Sequence, residues 1–309
     1  MLLSVGYPVL PSINISDTVI RHKERVGEVY FAWRNAPSGR MPMSDETQAK
    51  LESDLKLFHE EGIKLCLLLN GNCYGAEAVS QKFADEIKRV INEVKNICAP
   101  LYAATTTSPF VAHVIKNEFP EIKVKASINM RIGTVEGMDY LKELFDGFYV
   151  QREYNRDFKR LSELKKWADE NGKKLYGLLN SGCMNFCSNQ TFHDNMVSHE
   201  KDLRANAPLL GFNPVACHKF YSKPENRKYF VERGNWIRPE DLKYYNEFFE
   251  IGKLATRMHE SAPKVIGAYA RGSWPGNLTD LLEPRFKDIF VDNREFPENW
   301  FLKETLKTS

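Results

Sequence analysis

The chain has 309 residues, 42% of them hydrophobic, and a formal net charge of +2. That composition predicts a soluble globular protein with one large or two ordinary domains and a well-filled core. The near balance of charge argues against the global basic field that draws nucleic acid or a membrane surface, and no apolar run approaches the roughly 20 residues of a membrane span.

The opening "MLLSVGYPVLP" is too short and too poor in positive charge for a secretory signal, which predicts a cytoplasmic location. Six cysteines are far below the density of a disulfide scaffold. In a reducing compartment, clustered cysteines more often bind metal or catalyse than form bridges.

Short runs rich in Val, Ile, Leu and aromatics recur along the chain, each followed by a stretch of helical period. In order they are "MLLSVGY", "EVYFAW", "IKLCLLLN", "APLYAATTTS", "IKVKASINM", "DGFYVQRE", "KKLYGLLNSG" and "EIGKLATRM". Between the second and third, "SDETQAKLESDLKLFHEEG" offers Ser44 and Thr47 as caps and buries Leu51, Leu55 and Phe58 on one stripe. After the third, "AEAVSQKFADEIKRVINEVKN" reads as a second amphipathic helix.

Strands that alternate with helices and are apolar on both faces pair in parallel through right-handed crossovers. About eight such units predict a (β/α)8 barrel of the TIM type, spanning residues 1–309 as a single domain. An open doubly wound sheet is the rival, but its Gly-rich phosphate turns are missing. The rhythm breaks from about 184 to 235, where Pro208, Pro214 and Pro224 interrupt a segment rich in Asn. This segment reads as a long excursion above the barrel, at the carboxyl end of strand seven, where barrel chemistry sits.

The excursion opens on "NSGCMNFCSNQTFHDN", with Cys183 and Cys187 four positions apart, and carries Cys217 in "NPVACHKFY". Thiolates so close in a polar loop favour a soft metal or an iron–sulfur cluster. Cys73 in "LLLNGNCYG" lies on the same rim but across the barrel, so it joins only if the excursion folds back over the mouth. Cys66 and Cys98 read as small core residues.

Strand ends supply Arg34, Asn70, Thr105, Asn129, Arg131, Arg152, Glu153 and Arg257. Several cations there suit an anionic or small-molecule substrate. Arg152 and Glu153, as strand neighbours, are expected on opposite faces. His193 offers a general acid or base near neutrality. "WPGNLTDLL" reads as a turn and helix start capped by Asn277 or Thr279.

The segments "FDGFYVQREYNRDFKRLSEL", "KKLYGLLNSGCMNFC" and "NWIRPEDLKYYNEFFEIGKLATR" resemble, in order and in residues, the collagenase-like peptidases of family U32. That family includes proteins of oxygen-independent hydroxylation. The resemblance implies a [4Fe-4S] cluster in a (β/α) barrel, held by Cys183, Cys187 and Cys217 with Cys73 as the fourth ligand. Position at the strand ends, rather than the resemblance, makes Arg131, Arg152 and Glu153 the catalytic candidates together with His193, with Arg131 or Arg152 orienting an anionic substrate. The main expectation is an iron–sulfur enzyme, or an enzyme subunit, that modifies a substrate without molecular oxygen. A hydrolase using a thiolate or zinc is the alternative, with zinc on the three cysteines and His218. A non-catalytic barrel whose structural cluster stabilises a complex or passes electrons to a partner subunit is the third, and the cluster readings call for an electron donor. The sequence departs from the family's pattern where "NQTFHDN" replaces a Cys-rich run and "KLATR" replaces Lys-Ile-Glu-Gly-Arg.

Overall fold

In the computed structural model, which describes residues 1–38, 43–200, 212 and 215–296, the eight apolar runs become eight parallel strands. These are β1 (Leu2–Gly6), β2 (Val26–Phe31), β3 (Lys64–Leu69), β4 (Ala103–Thr106), β5 (Lys123–Ala126), β6 (Gly147–Tyr149), β7 (Lys174–Leu178) and β8 (Ile251–Leu254). Each pairs with its neighbours in sequence, and β8 returns to β1, so the sheet closes as the expected barrel. Pro208 and Pro214 lie outside the described residues.

The helices between strands bury the stripes that the sequence marked. In α2 (Asp45–Glu60) these are Leu51, Leu55 and Phe58, and Ser44 caps the helix by accepting from the Thr47 amide at 3.1 Å. The next long helix, α3 (Gln81–Ile97), starts later than the sequence reading placed it, because Gly75–Glu77 form a separate turn and Ser80 supplies the cap. Phe83, Ile87, Val90, Ile91 and Val94 then line one face against the barrel. Full burial of each such side chain stabilises by about 1.5–3 kcal/mol.

The interior of the barrel is unusually polar for a closed sheet. Strand alternation sends Ser4, Glu28, Tyr30, Cys66, Thr105, Lys125, Tyr149, Tyr176 and Lys253 away from the cluster packed under the helices. Lys125 pairs with Glu28 there, and Ser4 donates to the same carboxylate at 2.7 Å. Cys66 is a buried core residue as expected. Burial pushes its thiol up to about 12, although it shares a 3.3 Å hydrogen bond with Thr105.

Between β7 and β8 the chain makes the excursion. Its described helices are α7 (Gln190–Ser198), α8 (Ala216–Ser222) and α9 (Lys228–Glu232), which follow α1 (Ser16–Arg21), α4 (Pro109–Glu118), α5 (Val135–Asp139) and α6 (Phe158–Glu170) in chain order. Tyr221, Phe230 and Trp236 from this stretch pack with Leu278, Leu282, Phe286, Ile289 and Val291 from beyond α10 (Ala262–Arg271). This second hydrophobic cluster anchors the excursion to the carboxyl end of the barrel. Asn277 caps the turn over Leu278–Leu281, as the sequence suggested. No helix among the described residues is long and apolar enough to cross a membrane.

Candidate active site at the barrel mouth

The site is built on buried asparagines that stitch strand ends to the excursion. Asn180, just past β7, donates to the Leu281 carbonyl at 2.8 Å and accepts from the Ala255 amide at 2.6 Å. Asn155 donates to the carbonyls of Leu178 and Asn235 at 2.7 and 2.8 Å, and Asn235 donates to the Cys183 carbonyl at 2.9 Å. Buried amides that satisfy backbone groups in this way fix loop geometry, since breaking one strands a polar atom at about 1–3 kcal/mol. Cys183 is thereby held in a defined loop.

The excursion does fold back across the mouth. Ser198 of α7 accepts from the Asn72 amide at 2.7 Å, on the loop after β3, and Asn72 accepts from Asn129 at 3.0 Å, beyond β5. Asp194 of α7 faces Arg131 at 3.8 Å. Arg131 has a left-handed backbone, with φ of 55°, an uncommon conformation for a residue with a side chain. These contacts bring the two sides of the rim, which the sequence left on opposite sides of the barrel, onto one roof.

Beneath that roof lies a cavity of about 300 Å³. Cys183, His193, Asp194 and His218 line it from the excursion, Asn70, Asn72 and Asn129 from the rim, and Arg152, Lys253 and Arg257 from the strand ends and floor. The ring of His218 packs on Phe286 of the second cluster, 4.8 Å between centroids. Burial opposes the charge of Arg152, but Cys183, Glu153, Asp194 and Cys187 more than offset it, and its pKa is raised. A guanidinium beside a thiol is a setting in which cysteine nucleophiles and thiolate ligands are found.

Several candidates from the sequence meet here and others do not. Asn70, Asn129, Arg152, His193, Arg257 and Cys183 line the cavity. Arg34 instead pairs with Asp45 at 2.9 Å on the surface, and Thr105 lies inside the barrel. Arg152 and Glu153 are not on a strand: β6 ends at Tyr149, and Arg152–Tyr154 form a tight turn. The alternation of a strand therefore does not separate them, and they lie 3.8 Å apart as an ion pair. Missing from the sequence reading were Asp194, Asn72, Ser198 and Lys253. A lone charge inside an apolar strand, as in the "IGKL" of β8, is the signal that points to Lys253.

Cys187 and Cys217 are half-buried close to Cys183, whereas Cys73 is exposed and lies apart from the cavity lining. Burial first, then Cys183 and Cys187, pushes the Cys217 thiol up to about 11. The donor set is chemically suited to a soft metal. As placed, however, no group of three or more His, Cys, Asp or Glu among the described residues is arranged to hold a metal ion.

No family model matches the chain. It is 27% identical over 287 residues to the "Uncharacterized protease MJ1657" of Methanocaldococcus jannaschii, covering 88% of this chain and 81% of the relative. Among solved structures, the U32 peptidase Mk0906 superposes with a TM-score of 0.59 over 82% of this chain and 93% of that one, at 16% identity. The chain is thus similar in sequence to a protein named as a protease and shares its barrel fold with a U32 peptidase.

Proposed function

We propose that the protein is a hydrolase of peptide bonds, akin to the U32 peptidases, that works at the mouth of the barrel with Cys183 as its nucleophile. The observation that carries this reading is the cavity in which a cysteine, two histidines, an aspartate and a buried arginine converge. The name of the Methanocaldococcus relative supports it, and nothing in the comparisons supports an oxygen-independent hydroxylation.

In this reading His193 or His218 takes the proton of the Cys183 thiol as the sulfur attacks the carbonyl carbon of the scissile bond, and the carbonyl electrons move onto oxygen. Arg152 lines the same cavity and stabilises that negative charge, and its own burial makes the interaction count for more than it would in water. His193 or His218 delivers a proton to the departing amine nitrogen as the carbon–nitrogen bond breaks. Water, deprotonated by the same imidazole, then cleaves the thioester and restores the thiol. Asp194 lines the same cavity and faces Arg131 at 3.8 Å, so its carboxylate sets the charge of the site beside the imidazoles.

A second reading has one specific observation in its favour. Burial first, then Cys183 and Cys187, raise the Cys217 thiol, and a mutual influence of three thiols supports a metal or iron–sulfur centre. Among the described residues, however, no group of three or more His, Cys, Asp or Glu is arranged to hold a metal ion.

The test is digestion of a mixed peptide library by the purified protein, read by mass spectrometry for new amino termini, with iron, zinc and acid-labile sulfide counted on anaerobically prepared protein. Cleavage by metal-free protein supports the thiol hydrolase. Absence of cleavage together with about four irons per chain moves the assignment to the cluster.

A further inference from the structure

Two lysines point into the barrel, and their surroundings differ. Lys125 is neutralised by Glu28, a buried pair that needs no ligand to explain it. Lys253 is only 8% exposed, and among the described residues no carboxylate lies within ion-pairing distance of it. Its ammonium nitrogen sits instead over the faces of Tyr30 and Tyr149, 4.1 and 5.1 Å from the ring centroids. Strand β8 places Lys253 at the floor of the mouth cavity, while Lys125 is not among the residues that line it.

The same cavity holds Arg152 and Arg257, with Asn70, Asn72 and Asn129 around the rim. A cavity lined by one amine and two guanidiniums, with Asp194 and Glu283 as the acidic members of its lining, matches a small molecule with an electrophilic carbonyl next to a carboxylate. We propose that Lys253 is a reactive amine that captures a 2-oxo acid as an imine, with the substrate carboxylate bound by Arg152 and Arg257. This activity is separate from peptide hydrolysis and does not involve Cys183.

The step is balanced without a further reagent. The free amine of Lys253 attacks the carbonyl carbon and forms a carbon–nitrogen bond. Both amine hydrogens leave with the carbonyl oxygen as water, which yields a carbon–nitrogen double bond. Burial, the larger influence, and Arg257 lower the pKa of Lys253 to about 8, although Cys66 and Glu28 act the other way. At pH 7.5 such a group carries on the order of one hundred-fold more free amine than a surface lysine with the usual pKa near 10.4.

The experiment incubates the full chain with pyruvate and sodium cyanoborohydride, which delivers hydride to the imine carbon and makes the adduct permanent. Intact mass and peptide mapping then locate the carboxyethyl group. The expected result is one adduct per chain on Lys253, forming at least ten-fold faster than on any other lysine and absent from Lys253→Met. Acetaldehyde, which lacks the carboxylate, is expected to label Lys253 at least ten-fold more slowly. Labelling scattered over surface lysines, or equal in wild type and Lys253→Met, overturns the proposal. Equal rates for pyruvate and acetaldehyde overturn the assignment of a carboxylate-bearing substrate. Mapping on the wild-type chain keeps the test decisive even if the variant folds poorly.

Discussion

The ammonium of Lys125 on β5 meets the carboxylate of Glu28 on β2, 97 residues earlier, inside the barrel where both side chains are almost fully buried. Burial alone would lower the Lys125 pKa, yet the neighbouring charges, Glu28 foremost, raise it well above the ordinary lysine value. Ser4 completes the arrangement by donating to the other carboxylate oxygen. The pair is thus satisfied on both sides and joins strands from opposite parts of the wall.

Breaking this pair from one side strands a buried charge. Lys125→Met is expected to cost about 3–5 kcal/mol, whereas Lys125→Met combined with Glu28→Gln costs less than the single change because no lone charge is left. Urea unfolding of the two variants and the wild type checks the order. Equal losses in both variants contradict it.

Lys253 is expected to behave in the opposite way. With a folded pKa of about 8 against an ordinary value near 10.5, the native state bears the cost of a buried charge below pH 8. Between pH 8 and 10.5 the unfolded chain holds the proton more often than the folded chain, so wild-type stability rises with pH. Lys253→Met removes that cost and is expected to gain about 1–3 kcal/mol at pH 7, with the gain shrinking toward pH 10. Melting curves at the two pH values measure it.

His259 predicts an acid limb. It is 3% exposed, its Nδ1 accepts from the Ser261 amide at 3.0 Å, and burial, assisted by Arg285, lowers its pKa to about 4. Between pH 6.5 and 4 the unfolded chain therefore binds a proton that the folded chain refuses, and stability falls as pH falls. The contribution is about 3 kcal/mol and is complete near pH 4. Denaturation at pH 7, 5.5 and 4 should show a shallower decline in His259→Asn than in wild type.

Asn180 is expected to control the site without touching substrate. Asn180→Leu leaves the Ala255 amide and the Leu281 carbonyl without their side-chain partners. A loss of about 2–4 kcal/mol is expected, two stranded groups at 1–3 kcal/mol each with partial relaxation. Hydrogen exchange should speed up around Cys183 and Leu281 more than in β3.

Elements that depend on local pattern were legible from the residues. All eight apolar runs became strands in their order, and Ser44 and Asn277 cap where their spacing placed them. Arg152 and Glu153 were misplaced because the length of a strand is set by its partners: β6 pairs over only three residues before the turn begins. The cavity was only half legible. Cys183 and His193 stand in one recognisable stretch of sequence, but their meeting with Asn72 and Asn129 depends on Tyr221, Trp236 and Phe286 packing across the chain. No local period encodes that packing. Cys73 illustrates the same limit, since the excursion reaches its loop through Asn72 while Cys73 itself stays exposed.

The proposed chemistry rests on Cys183, and the direct measurement is kcat/KM for one cleaved peptide with wild type, Cys183→Ala and Cys98→Ala. Cys98 closes the end of α3 and lies outside the cavity lining, so it controls for the loss of a thiol. A fall of about 1000-fold or more is expected in Cys183→Ala, with melting temperature kept and Cys98→Ala within about two-fold of wild type. Undiminished cleavage by Cys183→Ala would contradict it.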